Sequence, residues 1–201
     1  MSVLVSRQAP DFTAAAVLAD GTIVDKYQLS EVTKGKYVLL VFYPLDFTFV
    51  CPTELIALNH RIGALKERNV EVIGISVDSV HTHAAWRNTP TKEGGIGPLN
   101  YTLVSDVKHD IAKAYGVEHP EEGVAFRATF LLDKDGIVRH QLVNDLPLGR
   151  NMDEARRMVD GLQFHESHGE VCPAGWQDGQ DGMSANAEGV SRYLSEKAGT
   201  L

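Results

Sequence analysis

Residues 42–54 read FYPLDFTFVCPTE, and Cys51 within them is one of only two cysteines in 201 residues. A lone cysteine is most often a small buried hydrophobe. The residues around Cys51 point elsewhere. Pro52 suits the first turn of a helix, where its missing N–H costs nothing, and this puts Cys51 at or beside an N-cap. Backbone N–H groups and the positive end of a helix dipole favour a thiolate there. Thr48, three residues earlier, can donate a hydroxyl hydrogen bond to the sulfur. Pro44 and the aromatics Tyr43, Phe47 and Phe49 can wall the site from water. Together these residues suit nucleophilic attack by a thiolate. Cys172, in VCPAGW, lies outside any apolar element, where a purely structural cysteine is not expected. Two cysteines cannot make an all-cysteine zinc site, and the eight histidines show no ligand spacing beside them. Thr48 stands where a C-x-x-C pair would need its second cysteine, which disfavours dithiol exchange on protein substrates.

The elements that must carry these residues are legible from periodicity. Residues 36–42, KYVLLVF, and 70–77, VEVIGISV, are buried-strand patterns. Between them, residues 53–67 carry Leu55, Leu58, Ile62 and Leu65 at helical spacing. HTHAAWRN is a short helix stopped by Pro90, and TLVSD a strand end. Asp106 suits the N-cap of a helix ending at Tyr115, with Gly116 as its stop. AFRATFLLD and IVRHQLVN flank the turn DKDG and predict a hairpin; a smaller one is expected around Ala19, Asp20 and Gly21. Asn151 can cap a helix with Asp153 and Glu154 in its first turn and an apolar stripe of Met152, Ala155, Val159 and Leu162. This order predicts an α/β fold with a central mixed sheet flanked by helices. Past Gly169 periodicity is lost in favour of Gly, Asp and Ala. That predicts an extended C-terminal arm (166–201) following a domain of residues 1–165, with a closing helix over 187–198. His165 and His168, in a helix's last turn, are expected to face solvent and complement its C-terminus, and Trp86 and Trp176 to be packing residues.

Composition narrows the function. Apolar residues make up 43% and charged ones 23%, enough for a sizeable core. A net charge of −8 argues against nucleic acid as partner. No apolar run approaches the ~20 residues of a membrane span. MSVLVSRQAPDF lacks the regions of a signal peptide, so a cytoplasmic setting is expected. Thiols are kept reduced there, which favours redox chemistry over a structural disulfide.

Pro44, Thr48 and Cys51 match the P-x-x-x-T-x-x-C motif of peroxiredoxins. The wider segment resembles the typical two-cysteine group, in its bacterial alkyl hydroperoxide reductase C branch. SVDSVHTHAAW, GGIGPLNYTLVSD, NDLPLGRNMDE and HGEVCPAGW resemble further family segments in order, so the resemblance covers nearly the whole chain. It implies a thioredoxin-like fold and reduction of hydroperoxides without metal, haem or flavin. Cys51 would be the attacking thiolate and Arg127 the main donor to thiolate and peroxide. Thr48 would share that task, Glu54 would orient Arg127, and Arg150 would be a second arginine near the site. Cys172 would be the resolving thiol of a partner subunit, forming a disulfide with Cys51 in a head-to-tail homodimer. The family often assembles five dimers into a ring, recycled by thioredoxin or a flavoprotein reductase partner. GGIG resembles the GGLG of peroxide-sensitive members, whereas Leu194 replaces the Phe of their C-terminal YF helix, implying intermediate sensitivity to overoxidation. A redox-regulated holdase or relay role is the alternative that no residue excludes.

Overall fold

Six consecutive buried residues in Tyr37–Phe42, strand β3, form an interior strand of a seven-stranded sheet. In this computed structural model, which describes residues 3–201, a β-branched and aromatic run with both faces covered can only be an interior strand. The N-terminal hairpin is β1 (Thr13–Val17) and β2 (Ile23–Gln28), turning at Gly21 with φ +90°. After the single helical turn α1 (Leu29–Val32) and β3 come α2 (Cys51–Asn59), α3 (Ile62–Glu67) and β4 (Val70–Ser76). Next are α4 (Val80–Asn88), β5 (Thr102–Ser105) and α5 (Asp110–Ala114). The hairpin β6 (Arg127–Leu132) and β7 (Val138–Asn144) leads to the long helix α6 (Met152–His168) and finally α7 (Ala187–Lys197).

The sheet order is β2-β1-β5-β4-β3-β6-β7. β5, β4 and β3 run parallel, and every other pairing is antiparallel, so the sheet is mixed as expected. Register has a direct consequence for chemistry. Phe42, the last residue of β3, pairs with Ala128, the second residue of β6. The end of β3, which feeds the loop to Cys51, and the start of β6, which is Arg127, therefore meet at one end of the strands in the sheet's interior.

Two helices differ from expectation. The stretch 53–67 is not one helix: α2 and α3 are separated at His60 and Arg61. There Arg61 N–H donates to Leu58 O at 2.9 Å, an i→i−3 bond that tightens the turn. The apolar stripe survives the break, with Leu55, Leu58, Ile62 and Leu65 all buried. Asp106 does not sit at the N-cap of α5. His109 does, with φ +62°, while the Asp106 carboxylate reaches forward to accept from Ile111 N at 3.0 Å and Ala112 N at 2.7 Å. It caps the helix from one turn upstream.

The chain forms two compact units, one ending at Met152 and one spanning Asp153–Leu201. Most of α6 thus groups with the arm and α7. Within this second unit, Asn186 caps α7 by accepting from Gly189 N at 2.7 Å. Among the described residues no helix is long and apolar enough to cross a membrane.

Arg87, buried on α4, ties the N-terminal hairpin to the rest of the first unit. Its guanidinium donates to Leu18 O (2.6 Å), Ala19 O (2.8 Å) and Leu99 O (2.8 Å). Three carbonyls lose a charged donor in Arg87→Ala, and we expect a loss of about 3 kcal/mol in urea unfolding. Arg87→Lys, with no planar fork, should recover only part of it.

Candidate active site

Cys51 is the first residue of α2, with Val50 at the N-cap and Pro52 second, the arrangement the sequence predicts. Its side chain is buried, at 1% exposure. The loop before it holds Phe47 at φ +54°, and Thr53 Oγ1 donates to Val50 O at 2.6 Å. Tyr43 and Pro44 are buried as expected of a wall. Phe49 is not part of one: it is 93% exposed. Phe47 is half-exposed and packs on Trp86 at 5.7 Å between ring centres. Thr48 also departs from expectation. Its hydroxyl donates to Leu45 O at 2.7 Å, so its one proton is not directed at the Cys51 sulfur.

The group directed at that sulfur is Arg127. Its Nη1 donates to Cys51 Sγ at 3.3 Å and to Glu54 Oε2 at 2.9 Å, and its Nε donates to Leu146 O at 2.6 Å. The guanidinium is 4% exposed as a residue and fixed at both ends. Glu54 lies one helical turn after Cys51, on the same face of α2. Arg150 holds the other side of its carboxylate. Arg150 N and Nε donate to Oε1 at 2.8 and 2.9 Å, and Nη2 donates to Oε2 at 3.0 Å. The Arg150 Nη1 group is in turn held by Ala128 O and Thr129 Oγ1. Glu54 thus accepts four hydrogen bonds from two arginines. Burial pushes its carboxyl up, but the Arg150 bonds and charge, with Arg127 behind them, outweigh this and leave it below the ordinary carboxylate range. One carboxylate against two guanidiniums leaves one positive charge in excess, and the Cys51 sulfur is an acceptor facing it.

A second buried network stands just upstream, and the sequence reading missed it. Tyr43 Oη donates to Asp46 Oδ1 at 2.8 Å, and His83 Nδ1 lies 2.7 Å from Asp46 Oδ2, with both ion-pair side chains fully buried. Asp46 N donates to Asp78 Oδ2 at 2.9 Å, and Ser76 Oγ donates to the same oxygen at 2.6 Å. These bonds pin the loop after β3 to α4 and to the end of β4. Burial raises the Asp46 carboxyl, with His83 opposing. The one available signal was an Asp inside an otherwise apolar loop, a residue that must find partners if buried.

Cys172, in the second unit, is half-buried, and its thiol donates to Gly161 O at 3.4 Å. Burial pushes this thiol up, with Arg157 opposing. His165 and His168 are exposed, Trp86 and Trp176 are buried, and Tyr193 and Leu194 lie on α7 with Leu194 44% exposed. In the 94–97 loop, Gly94 and Gly97 have positive φ, and a Cβ at Gly95 would collide with the Thr89 carbonyl.

The chain is similar to known proteins along nearly its whole length. The AhpC/TSA family model matches residues 5–141, and the one described as the C-terminal domain of 1-Cys peroxiredoxin matches 161–196. Alkyl hydroperoxide reductase C of Buchnera aphidicola subsp. Acyrthosiphon pisum is 53% identical, covering 96% of this chain and 98% of its own. Peroxiredoxin-1 of Gallus gallus is 50% identical with 96% of both chains covered. The crystal structure of reduced 2-Cys peroxiredoxin from Plasmodium vivax superimposes with a TM-score of 0.92 at 49% identity, covering 96% of this chain and 100% of its own. The chain belongs to the AhpC/TSA family, the peroxiredoxins, and its mixed sheet with flanking helices is the thioredoxin-like fold expected.

Glu54→Gln removes the negative member of a buried triad and leaves two guanidiniums unmatched. We expect a loss of about 3–5 kcal/mol at neutral pH. Because the folded-state pKa of Glu54 is depressed, its contribution is present above about 4.5, the ordinary value, and disappears as pH falls through the lower folded value. Denaturant titrations between pH 3 and 7 should therefore show wild type and variant converging at the acid end.

Proposed function

We propose that the protein is a thiol peroxidase that reduces hydroperoxides through Cys51, with Arg127 as the principal catalytic donor. The observation that carries this reading is the 3.3 Å bond from Arg127 Nη1 to Cys51 Sγ, made by a guanidinium already fixed by Glu54 and Leu146 O. The Cys51 thiolate attacks the terminal peroxide oxygen. A sulfur–oxygen bond forms and the O–O bond breaks, leaving the sulfenic acid, and the departing hydroxide or alkoxide takes up the proton that the Cys51 thiol released and leaves as water or alcohol. Negative charge moves from sulfur to the leaving oxygen, and a donor held along that line stabilises the transition state without reorganising. Thr48, whose own proton is taken by Leu45 O, offers its hydroxyl oxygen as an acceptor for the peroxide O–H. Pro44 closes the β3 side. Glu54 and Arg150 are positioning residues that lock Arg127.

Cys172 is the resolving thiol. It attacks the Cys51 sulfenic acid of a second copy, and the resulting disulfide is reduced by a protein dithiol, thioredoxin or a flavoprotein reductase. The unit of function is a homodimer of peroxidase domains (1–165) with arms (166–201), assembling into a ten-subunit ring in the cytoplasm. Ile96 in GGIG and Leu194 in place of Phe set an intermediate sensitivity to overoxidation.

Stopped-flow mixing of reduced protein with hydrogen peroxide tests the first half. Cys51→Ser should lose peroxide reduction entirely, because an alkoxide is out of reach at neutral pH; a substantial residual rate would end the assignment. Arg127→Ala should slow the first oxidation by about 10²–10³-fold, the usual cost of one preorganised donor.

The second half is tested by Cys172→Ser. Oxidised wild type should run as a covalent dimer on non-reducing gels. The variant should run as a monomer that reacts once and climbs to sulfinic acid in excess peroxide. Mixing Cys51→Ser with Cys172→Ser should restore some turnover, since a hybrid dimer holds one intact pair. An internal disulfide in a monomeric, active wild type would refute the intersubunit reading.

A further inference from the structure

The face of α6 that carries Arg157, Gly161 and Phe164 bears on how Cys172 reacts. These residues follow at i, i+4 and i+7 and form one stripe along the helix. Each touches the loop that holds Cys172. Gly161 O accepts the Cys172 thiol hydrogen at 3.4 Å. Phe164 packs on Trp176 at 4.8 Å between ring centres. Arg157 Nη1 donates to Trp176 O at 2.9 Å. The loop is closed at its base, because Val171 and Met183 exchange backbone bonds of 2.9 and 3.0 Å. Inside it, Trp176 is 2% exposed and donates from Nε1 to Gln180 O. Cys172 is the first residue inside that closure, and the thiol lies against the helix rather than in solvent.

Arg157 is itself held. Glu154, one turn earlier, takes its Nε at 2.6 Å and its Nη2 at 2.8 Å, a two-point clamp that fixes the plane of the guanidinium. The third nitrogen is left for the Cys172 loop. Arg157 stands one helical turn before Gly161, whose carbonyl takes the Cys172 thiol hydrogen, so its positive charge is on the side of the sulfur and opposes the burial that holds the thiol up. Two histidines lie near this stripe. His165 Nδ1 donates to Glu170 O at 2.8 Å, and His168 continues the stripe and stacks on Phe164 at 4.4 Å between ring centres.

We propose that Arg157 is a positioning residue for Cys172: oriented by Glu154, it pins the Cys172 loop to α6 and holds a positive charge beside the sulfur for the resolving attack. The proposal rests on the reading of Cys172 as the resolving thiol. In that step Cys172 gives up its proton and its sulfur attacks the Cys51 sulfur. The S–S bond forms, the S–O bond of the sulfenic acid breaks, and the departing hydroxide becomes water. The oxidising equivalents came from the peroxide. A thiol donating its proton to a helix carbonyl is a poor nucleophile, so a neighbouring cation that favours the thiolate raises the rate directly. The gain is partly offset because a less basic thiolate is less nucleophilic, which leaves about threefold per unit of pKa.

Stopped-flow fluorescence of reduced protein mixed with hydrogen peroxide separates sulfenic acid formation from disulfide formation. Arg157→Gln should leave the first phase unchanged and slow the second about tenfold. It should also move the pH midpoint of the second phase upward, and intact mass should show more sulfinic Cys51 at equal peroxide. Arg157→Lys, which keeps the charge without the fork, should return the midpoint but only part of the rate. Glu154→Gln should slow the second phase with little movement of the midpoint. Cys172→Ser is the control on the underlying reading: if it leaves the second phase intact, Cys172 is not the resolving thiol. If Cys172→Ser abolishes that phase while Arg157→Gln changes neither its rate nor its midpoint, Arg157 has no such role. A slower phase with an unmoved midpoint also overturns the proposal, since loosening of the loop alone would give that. Should Arg157→Gln fail to fold, as judged by circular dichroism, Arg157→Met, which also removes the charge but keeps the apolar stem, decides on the same readouts.

Discussion

Glu54, buried to 2% exposure, is the constraint on which the candidate site depends. Alone it would carry a desolvation cost of several kcal/mol. It is retained because Arg127 and Arg150 surround it with four hydrogen bonds. The converse matters as much. Neither guanidinium could be buried there without the carboxylate, and Arg127 could not present Nη1 to the Cys51 sulfur with its plane free to rotate. Buried ion clusters of this kind are weak contributors to net stability. Their value here is geometric: Glu54 converts a long, rotamer-rich side chain into a fixed donor.

The sheet provides the frame for this cluster. Antiparallel pairing of β3 with β6 brings Arg127 beside the strand that leads to Cys51, and pairing of β6 with β7 puts Leu146, just past β7, within reach of Arg127 Nε. Upstream, Asp46 does for the loop what Glu54 does for the helix. A polar residue in an apolar segment, its carboxylate bonded to Tyr43 and His83 and its backbone N–H donating to the Asp78 carboxylate, allows the loop only one position. Thr48 lies between these two anchors, two residues after Asp46 and six before Glu54.

Much of this was legible in the sequence because the relevant signals are local. Apolar runs gave β3 and β4, DKDG gave the β6–β7 turn, and proline after cysteine gave the start of α2. Local signals failed where tertiary contacts decide. The Leu55–Leu65 stripe could not reveal that a tightened turn at Arg61 splits the helix, since the stripe is buried either way. Asp106 was legible as a cap but not as one acting across an intervening turn. Phe47 and Phe49, placed in the wall by hydrophobicity, are exposed, because nothing in composition says which aromatics of a loop face inward. The network of Tyr43, Asp46 and His83 was invisible, since its members lie 37 positions apart at the ion pair and share no periodicity. Arg150 was read as a second arginine near the site by resemblance; its three bonds to one carboxylate are a fact of folding.

On the proposed cycle the same cluster sets a tension between attack and resolution. Cys51 sits on the first turn of a helix at 1% exposure, and a disulfide needs Cα atoms within about 7 Å, so the turn has to open before a second thiol can reach it. What holds the turn closed is in part the bond between a cationic guanidinium and an electron-rich sulfur. Oxidation changes one partner of that bond. A thiolate is an anion that Arg127 attracts, whereas a sulfenic acid is neutral and bulkier by one oxygen in a close-packed site. The reaction therefore weakens the contact that enabled it, while the Arg150 and Arg127 bonds to Glu54 involve no redox group and are not altered by the oxidation itself. Arg127 is borne by β6, an interior strand paired with both β3 and β7, so opening falls to the Cys51 turn and the loop from Pro44, and the donor remains in place for the next peroxide when the thiol returns.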